Sequence, residues 1–356
     1  MMMMKISATL GWLVVGSLSP LSAYSESGHR VVGALADKLI EGKAAADTVK
    51  NLLGAVTLER ASTLPDELRG EDNARGSFKL GENPELEAQL LAFREANPPS
   101  RDETEGQMPP SHHWFHYTDV PIQATSYAAT KVGTSKWDIV QMIAYCSRVV
   151  AGTERPDNER KITPAVAIVL LAHYVGDIHQ PLHVGAAFLD AQGNCLDPNT
   201  HPEAKPDRGG NDIHFGGTNF HAYWDFDAVE SALTYQRRSQ GKNSDTLKPR
   251  DWAIQLAAKE PADWKPDPSL KPTQWPEKWA DEILPLALEA HTRLRFLPEE
   301  EFDNRNGKPV MSWTAVEKPH HGKSSYAVFA SKAVEVELNK AGWRLAALLE
   351  ASLPAK

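Results

Sequence analysis

Cysteine is nearly absent: Cys146 and Cys195 are the two in a chain of 356 residues. They leave room for one disulfide and for no thiolate cluster around a metal. The sequence leaves open whether they are bridged. Basic charge is also short. The formal net charge is −9, and since residues 1–23 hold one lysine and no acid, the rest of the chain carries −10. That excludes the basic footprint of a protein that grips nucleic acid by surface charge. Any phosphate must then be held at a local site, which bound metal could provide. Past residue 23 no apolar stretch is long enough to cross a membrane. Glycine-rich phosphate loops, internal repeats and Asn-X-Ser/Thr acceptors are missing, and strand signals are few.

What is present is a folded composition, with 24% charged and 41% hydrophobic residues. Residues 1–23 read as a secretory signal. Lys5 supplies the positive start, Ile6 to Leu18 a mostly apolar stretch, and Pro20-Leu-Ser-Ala23 a cleavage region. The alternative is a retained anchor. Cleavage after Ala23 leaves residues 24–356 as the mature chain, secreted or periplasmic, with no stable membrane association. Its oligomeric state is not legible.

The densest chemistry lies in 173–183, His173-Tyr-Val-Gly-Asp177-Ile-His179-Gln-Pro181-Leu-His183. An apolar run, Ala165 to Ala172, precedes it, with Pro164 suited to a first helical turn. His173 and Asp177 are four apart and share one helix face. Pro181 ends that helix, and His183 follows on a turn. A carboxylate and two imidazoles in an apolar setting are costly without a partner. A divalent metal satisfies them; hydrogen-bonded core histidines are the plainer alternative. Asn219-Phe-His221-Ala-Tyr-Trp224-Asp225 repeats the four-residue His–Asp spacing. Imidazole and carboxylate are what zinc accepts when no thiolate is offered. Two pairs plus His183 exceed the needs of one tetrahedral site, so the spacing points to more than one metal.

Helical patterns cover 31–40, 47–60, 84–95, 136–151, 163–180, 219–238, 279–296 and 326–349. Residues 70–111 read as a polar insertion or surface excursion around the 84–95 helix, 187–206 as a loop-like insertion, and 260–276 as a surface loop. The predicted architecture is mainly α in a single domain, with core-lining helices carrying the ligands.

In order along the chain, Gly28-His29, Asp66-Glu-Leu-Arg69, His116-Tyr-Thr-Asp119, the 173–183 run, Asp207-Arg-Gly-Gly-Asn211, Asn219 to Asp225 and Ala341-Gly-Trp-Arg-Leu-Ala346 resemble the S1/P1 nuclease family. Its members are zinc-dependent single-strand nucleases and 3′-nucleotidases that share a fold with zinc-dependent phospholipase C. The likeness spans nearly the whole mature chain. It implies a helical phospholipase C/P1 nuclease-like fold and three zinc ions at the bottom of a cleft. Asp66, His116, His173 and Asp177 would hold one. His183, His221 and Asp225 would hold a second. The third would take His29, Asp177 as a bridge, and the N-terminal amine and carbonyl of Tyr24, where the family usually has Trp.

The implied reaction is hydrolysis of the P–O3′ bond of single-stranded RNA or DNA to 5′-nucleotides by metal-activated water, with 3′-nucleotidase activity possible. Asp66 would orient the water and Arg69 stabilise the pentacoordinate charge. Tyr117 would stack on a nucleobase and Asp119 would hydrogen-bond it. Without the resemblance, Arg69 reads as a surface arginine and Tyr117 as a core aromatic. His112 and His113 have no assignable role, His179 reads as supporting or structural, and His201, His214, His291, His320 and His321 as ordinary polar residues. Two other readings stand: a zinc-dependent phospholipase C and a non-catalytic zinc-binding protein. Asp rather than Glu at 225, and the Asp66-x-x-Arg69 motif, favour the nuclease.

Overall fold

The apolar run after Thr163 folds as a helix, α7 (Pro164–Asp177), buried from Ala165 to its end. Thr163 starts it: its hydroxyl oxygen accepts a hydrogen bond from the Val166 amide at 3.2 Å, and Pro164 fills the first turn. A helix that is apolar all round must be enclosed by protein, and the rest of the chain encloses it. The computed structural model describes residues 24–74, 78–99, 111–239, 247–302, 309–319, 322 and 324–354. The signal-like segment 1–23, part of the 70–111 insertion, and His320 and His321 lie outside them.

Before α7 come α1 (Glu26–Ile40), α2 (Ala44–Leu53), α3 (Leu58–Ala61), α4 (Leu64–Ala74), α5 (Pro84–Ala96) and α6 (Ile139–Val150). After it come α8 (Phe220–Ala222), α9 (Ala228–Ser239), α10 (Pro249–Ala257), α11 (Trp275–Thr292) and α12 (Tyr326–Ser352). α1 to α6 and α12 all pack on α7, so it forms the axis of a mainly helical fold, as expected. The long α12 also lies along α1, where Gly342 sits against Leu35; a Cβ there would come within 2.5 Å of that side chain.

α5 is no surface excursion. Leu86, Leu90 and Phe93 are buried in the main core and the helix contacts α7. Its periodic apolar positions outweigh the polar composition around it.

The strands are short, except for one hairpin. β1 (Val120–Pro121) pairs in parallel with β2 (Gly185–Ala186), and β3 (Phe188–Leu189) antiparallel with β4 (Lys205–Pro206). A four-stranded sheet has the order β6-β5-β8-β7. It is built from β5 (Ile213–Phe215), β6 (Thr218–Asn219), β7 (Leu294–Phe302) and β8 (Pro309–Glu317). The helix expected over 279–296 therefore ends early, at Thr292. From Leu294 the burial alternates, with Leu294 and Phe296 inside and Arg295 and Leu297 outside, which is the period of a strand. The one disulfide that two cysteines allow does not form. Cys146 is buried on α6, Cys195 is exposed in the loop after β3, and both thiols are free.

Candidate metal centre

Asp177 closes α7, and His173 lies one turn earlier on the same face, its Nε2 3.1 Å from Asp177 Oδ2. The short 3₁₀ turn His112–His116 delivers His116, whose Nδ1 is 3.0 Å from Asp177 Oδ2 and 3.0 Å from His173 Nε2. α1 delivers His29, with Nε2 3.3 Å from Asp177 Oδ1 and its ring stacked on His173 at 3.9 Å between centroids. Asp66 enters from the first turn of α4, with Oδ1 3.7 Å from His173 Nε2 and Oδ2 4.0 Å from His29 Nε2.

The other half of the centre comes from later in the chain. His183 ends the 3₁₀ turn Pro181–His183. His221 sits in α8, and Asp225 in the π-helical turn Tyr223–Asp227 that continues it. His221 Nε2 is 3.3 Å from Asp225 Oδ2, and His183 Nε2 is 3.9 Å from Asp225 Oδ1. A π turn inside a helix is rare and concentrates at functional sites.

These side chains fall into three groups whose candidate ligand atoms lie within 4.8 Å of one another. They are His29, His173 and Asp177; Asp66, His116 and His173; and His183, His221 and Asp225. The expected set of Asp66, His116, His173 and Asp177 is brought together. Beside His29 and Asp177, however, the third side chain is His173.

The ring orientations are those of metal ligands. Nδ1 of His173 faces the Ser62 carbonyl at 2.6 Å, Nδ1 of His183 the His116 carbonyl at 2.7 Å, and Nδ1 of His221 the Gly209 carbonyl at 2.8 Å. A carbonyl can only accept, so each Nδ1 carries the proton and each Nε2 turns a lone pair toward the carboxylates. Both nitrogens of His29, Nε2 of His183, Oδ1 of Asp177 and Oδ2 of Asp225 are buried without a hydrogen-bond partner. Lone pairs so crowded in a low-dielectric interior repel unless cations lie between them. The residues present therefore fit divalent metal, and an imidazole–carboxylate donor set without thiolate suits zinc.

Electrostatics favour the neutral imidazole at four of the five candidate ligand histidines, His173 being the exception. Burial lowers His29, pushes His116 well down with help from Arg69, and takes His183 down to about 3 and His221 to about 4. For His173 burial opposes charge, but Asp177 and Asp66 raise it. Burial also works against charge on Asp177, yet His173 and His183 hold its carboxyl well below the usual range. Asp225 is pushed well up, first by burial and then by Asp177 and Asp66, although Gln180 donates to its Oδ1 at 2.9 Å.

Above the ligands opens a cavity of about 180 Å³. His116, His183 and His221 line it together with Arg69, Tyr117 and Asp119, so every candidate substrate residue named from sequence faces the same space. Arg69 also pairs with Asp66, Nη1 to Oδ1 at 3.5 Å. Trp114, His113, Arg208 and Asn211 share the lining and were given no role from sequence, although the Asp207-Arg-Gly-Gly-Asn211 motif was an available signal for the last two. Tyr24 is fully buried. Its hydroxyl donates to the His179 carbonyl at 2.9 Å, and the Ser25 amide donates to the Asp225 carbonyl at 2.7 Å, so this segment is pinned beside the ligands.

Among the described residues, three further histidines are built into the interior: His112, which had no assignable role, His179 and His291. His179, expected to be supporting or structural, is buried, with Nδ1 on the Val175 carbonyl at 2.7 Å and Nε2 meeting Arg344 Nη1 at 3.0 Å. His291, expected to be an ordinary polar residue, is buried instead and pairs with Asp207, Nε2 to Oδ2 at 2.9 Å. The Ala341 to Ala346 motif was the available signal for the Arg344 contact; the His291 pair had none.

Comparison with known proteins points the same way. The pattern of the S1/P1 Nuclease family matches residues 24–354. Endonuclease 4 of Arabidopsis thaliana is 28% identical over 197 residues, covering 49% of this chain and 58% of that protein. Endonuclease 1 of Arabidopsis thaliana is 25% identical over 248 residues, covering 68% of this chain and 65% of that protein. The chain thus spans less than two thirds of the length of either relative.

Proposed function

Because the chain belongs to the S1/P1 nuclease family, we propose that it is an exported, zinc-dependent phosphodiesterase. It hydrolyses single-stranded RNA and DNA at the P–O3′ bond to 5′-nucleotides and acts as a 3′-nucleotidase. The observation that carries this reading is the crowding of unpartnered imidazole and carboxylate atoms beneath a cleft that Arg69, Tyr117 and Asp119 line.

Three zinc ions would be held by Asp66, His116, His173 and Asp177, by His183, His221 and Asp225, and by His29, Asp177 and the main chain of Tyr24. Bound zinc supplies Lewis-acid polarisation of a phosphodiester and lowers the pKa of water. The chain's own residues supply the rest. Asp66 pairs with Arg69, which lines the cleft, and from there would orient the attacking water. Arg69 donates to the phosphoryl oxygens, where negative charge builds up. Tyr117 offers a ring for an unpaired base and Asp119 an acceptor for its N–H groups. An acidic protein can do this because attraction for phosphate is confined to the site.

Export is supported by the signal-like segment and is tested by sequencing the mature N-terminus, expected at Tyr24. The activity test compares zinc-loaded protein on single-stranded DNA, single-stranded RNA, duplex DNA and phosphatidylcholine. Release of 5′-nucleotides from both single strands ahead of duplex is expected. Turnover of phosphatidylcholine alone would make the protein a phospholipase. Tight zinc binding with no hydrolysis would make it a zinc-binding protein.

A further inference from the structure

The Asp207-Arg-Gly-Gly-Asn211 loop lies against two ligands. The Gly209 carbonyl accepts from His221 Nδ1 at 2.8 Å, and the Gly210 carbonyl accepts from the His221 amide at 3.3 Å. The packing is tight on the other side also. Gly209 adopts φ +60°, and a Cβ there would come within 2.5 Å of the carbonyl of Leu182, next to His183. A loop this close fixes the tautomer and direction of His221, so whatever fixes the loop sets the ligand.

Asp207 fixes it. Fully buried, it takes the Ala187 amide on Oδ1 at 3.2 Å, while its carbonyl accepts from the Gly210 amide at 3.1 Å and the Asp212 amide at 3.2 Å. Its Oδ2 meets His291 Nε2 at 2.9 Å. His291, 1% exposed on the last turn of α11, is held by the Ala287 carbonyl at 2.7 Å. Its ring also meets Phe220, the neighbour of His221, edge-on at 5.4 Å.

We propose that His291 is a positioning residue: through Asp207 and the Gly209 carbonyl it orients His221 for the ion held with His183 and Asp225. The inference rests on the zinc reading only for metal at that triad. It needs no particular substrate.

The test uses the zinc-loaded full chain, wild type against His291→Ala, His291→Gln, Asp207→Asn and Ile283→Ala. The last is a buried residue of the same helix, about two turns before His291, and serves as the stability control. Zinc retained per chain is measured by native mass spectrometry, and zinc release by transfer to a chromophoric chelator. His291→Ala and Asp207→Asn should release one ion about 10- to 100-fold faster than wild type. His291→Gln, which keeps an N–H toward Asp207, should recover most of the loss. Ile283→Ala should lower the unfolding temperature and leave zinc release unchanged. If His291→Ala does not fold, Asp207→Asn and His291→Gln carry the comparison. Zinc release at the wild-type rate from His291→Ala, or from Asp207→Asn, overturns the proposal, and so does equal acceleration in Ile283→Ala. A wild-type chain that binds no zinc overturns this proposal and the zinc reading together. A zinc-loaded chain indifferent to His291 overturns this one alone.

Discussion

Asp177 turns both carboxylate oxygens into the centre. Its Oδ1 faces His29 and its Oδ2 faces both His116 and His173. Asp177→Asn should therefore cost two ions where His183→Ala costs one, as zinc counted by mass spectrometry. Activity should fall by about a thousandfold or more. Arg69 differs, because it lines the cleft without being a ligand. Arg69→Ala should lower kcat roughly 100- to 1,000-fold with zinc content unchanged, read from steady-state kinetics on single-stranded DNA. Among the candidate ligands, His173, Asp177, His221 and Asp225 were legible because His and Asp four apart, twice, in apolar surroundings are costly to bury without a partner, whereas His29, Asp66 and His116 came only from the family resemblance. The atoms that aim them were not legible. Ser62, His116 and Gly209 contribute only main-chain carbonyls, which no residue type encodes. His291 is paired with a residue 84 positions away, a distance no local pattern spans.

The elements bring these residues together through close approach. Gly176, in the last turn of α7, lies against His29 of α1, and a Cβ there would stand 3.1 Å from His29 Nδ1. Gly176→Ala should push that ring away. The expected result is a stability loss of about 1–3 kcal/mol by denaturant unfolding, with loss of one zinc from the His29 side of the centre. α7 itself was legible, since a threonine cap, a proline first turn and an unbroken apolar run all agree. Its end was less so. The helical pattern reads on to 180, but the chain tightens after Asp177 and returns as the 3₁₀ turn that carries His183. The β7–β8 hairpin was missed for a physical reason: its outward positions include Leu297 and Val316, which blur the polar–apolar alternation.

At the scale of the whole molecule, a shell of apolar helices surrounds a polar centre whose buried lone pairs repel one another when the metal is absent. Folding and metal binding are then coupled. Chelation should lower the unfolding temperature by roughly 10 °C or more in scanning calorimetry, and added zinc should restore it. The overall class was legible because helical periodicity dominates the chain. The convergence of α1, α4, α7, α8 and two 3₁₀ turns on one point was visible only through the family resemblance, since each segment alone carries one or two ligands.

The central claim is that these histidines and aspartates are metal ligands and not a hydrogen-bonded polar core. Metal content of the mature protein, by mass spectrometry of the folded chain with its N-terminal residue determined in the same sample, tests it most directly. About three zinc ions per chain, with Tyr24 at the N-terminus, is the expected result. A folded, stable chain without bound zinc would contradict it.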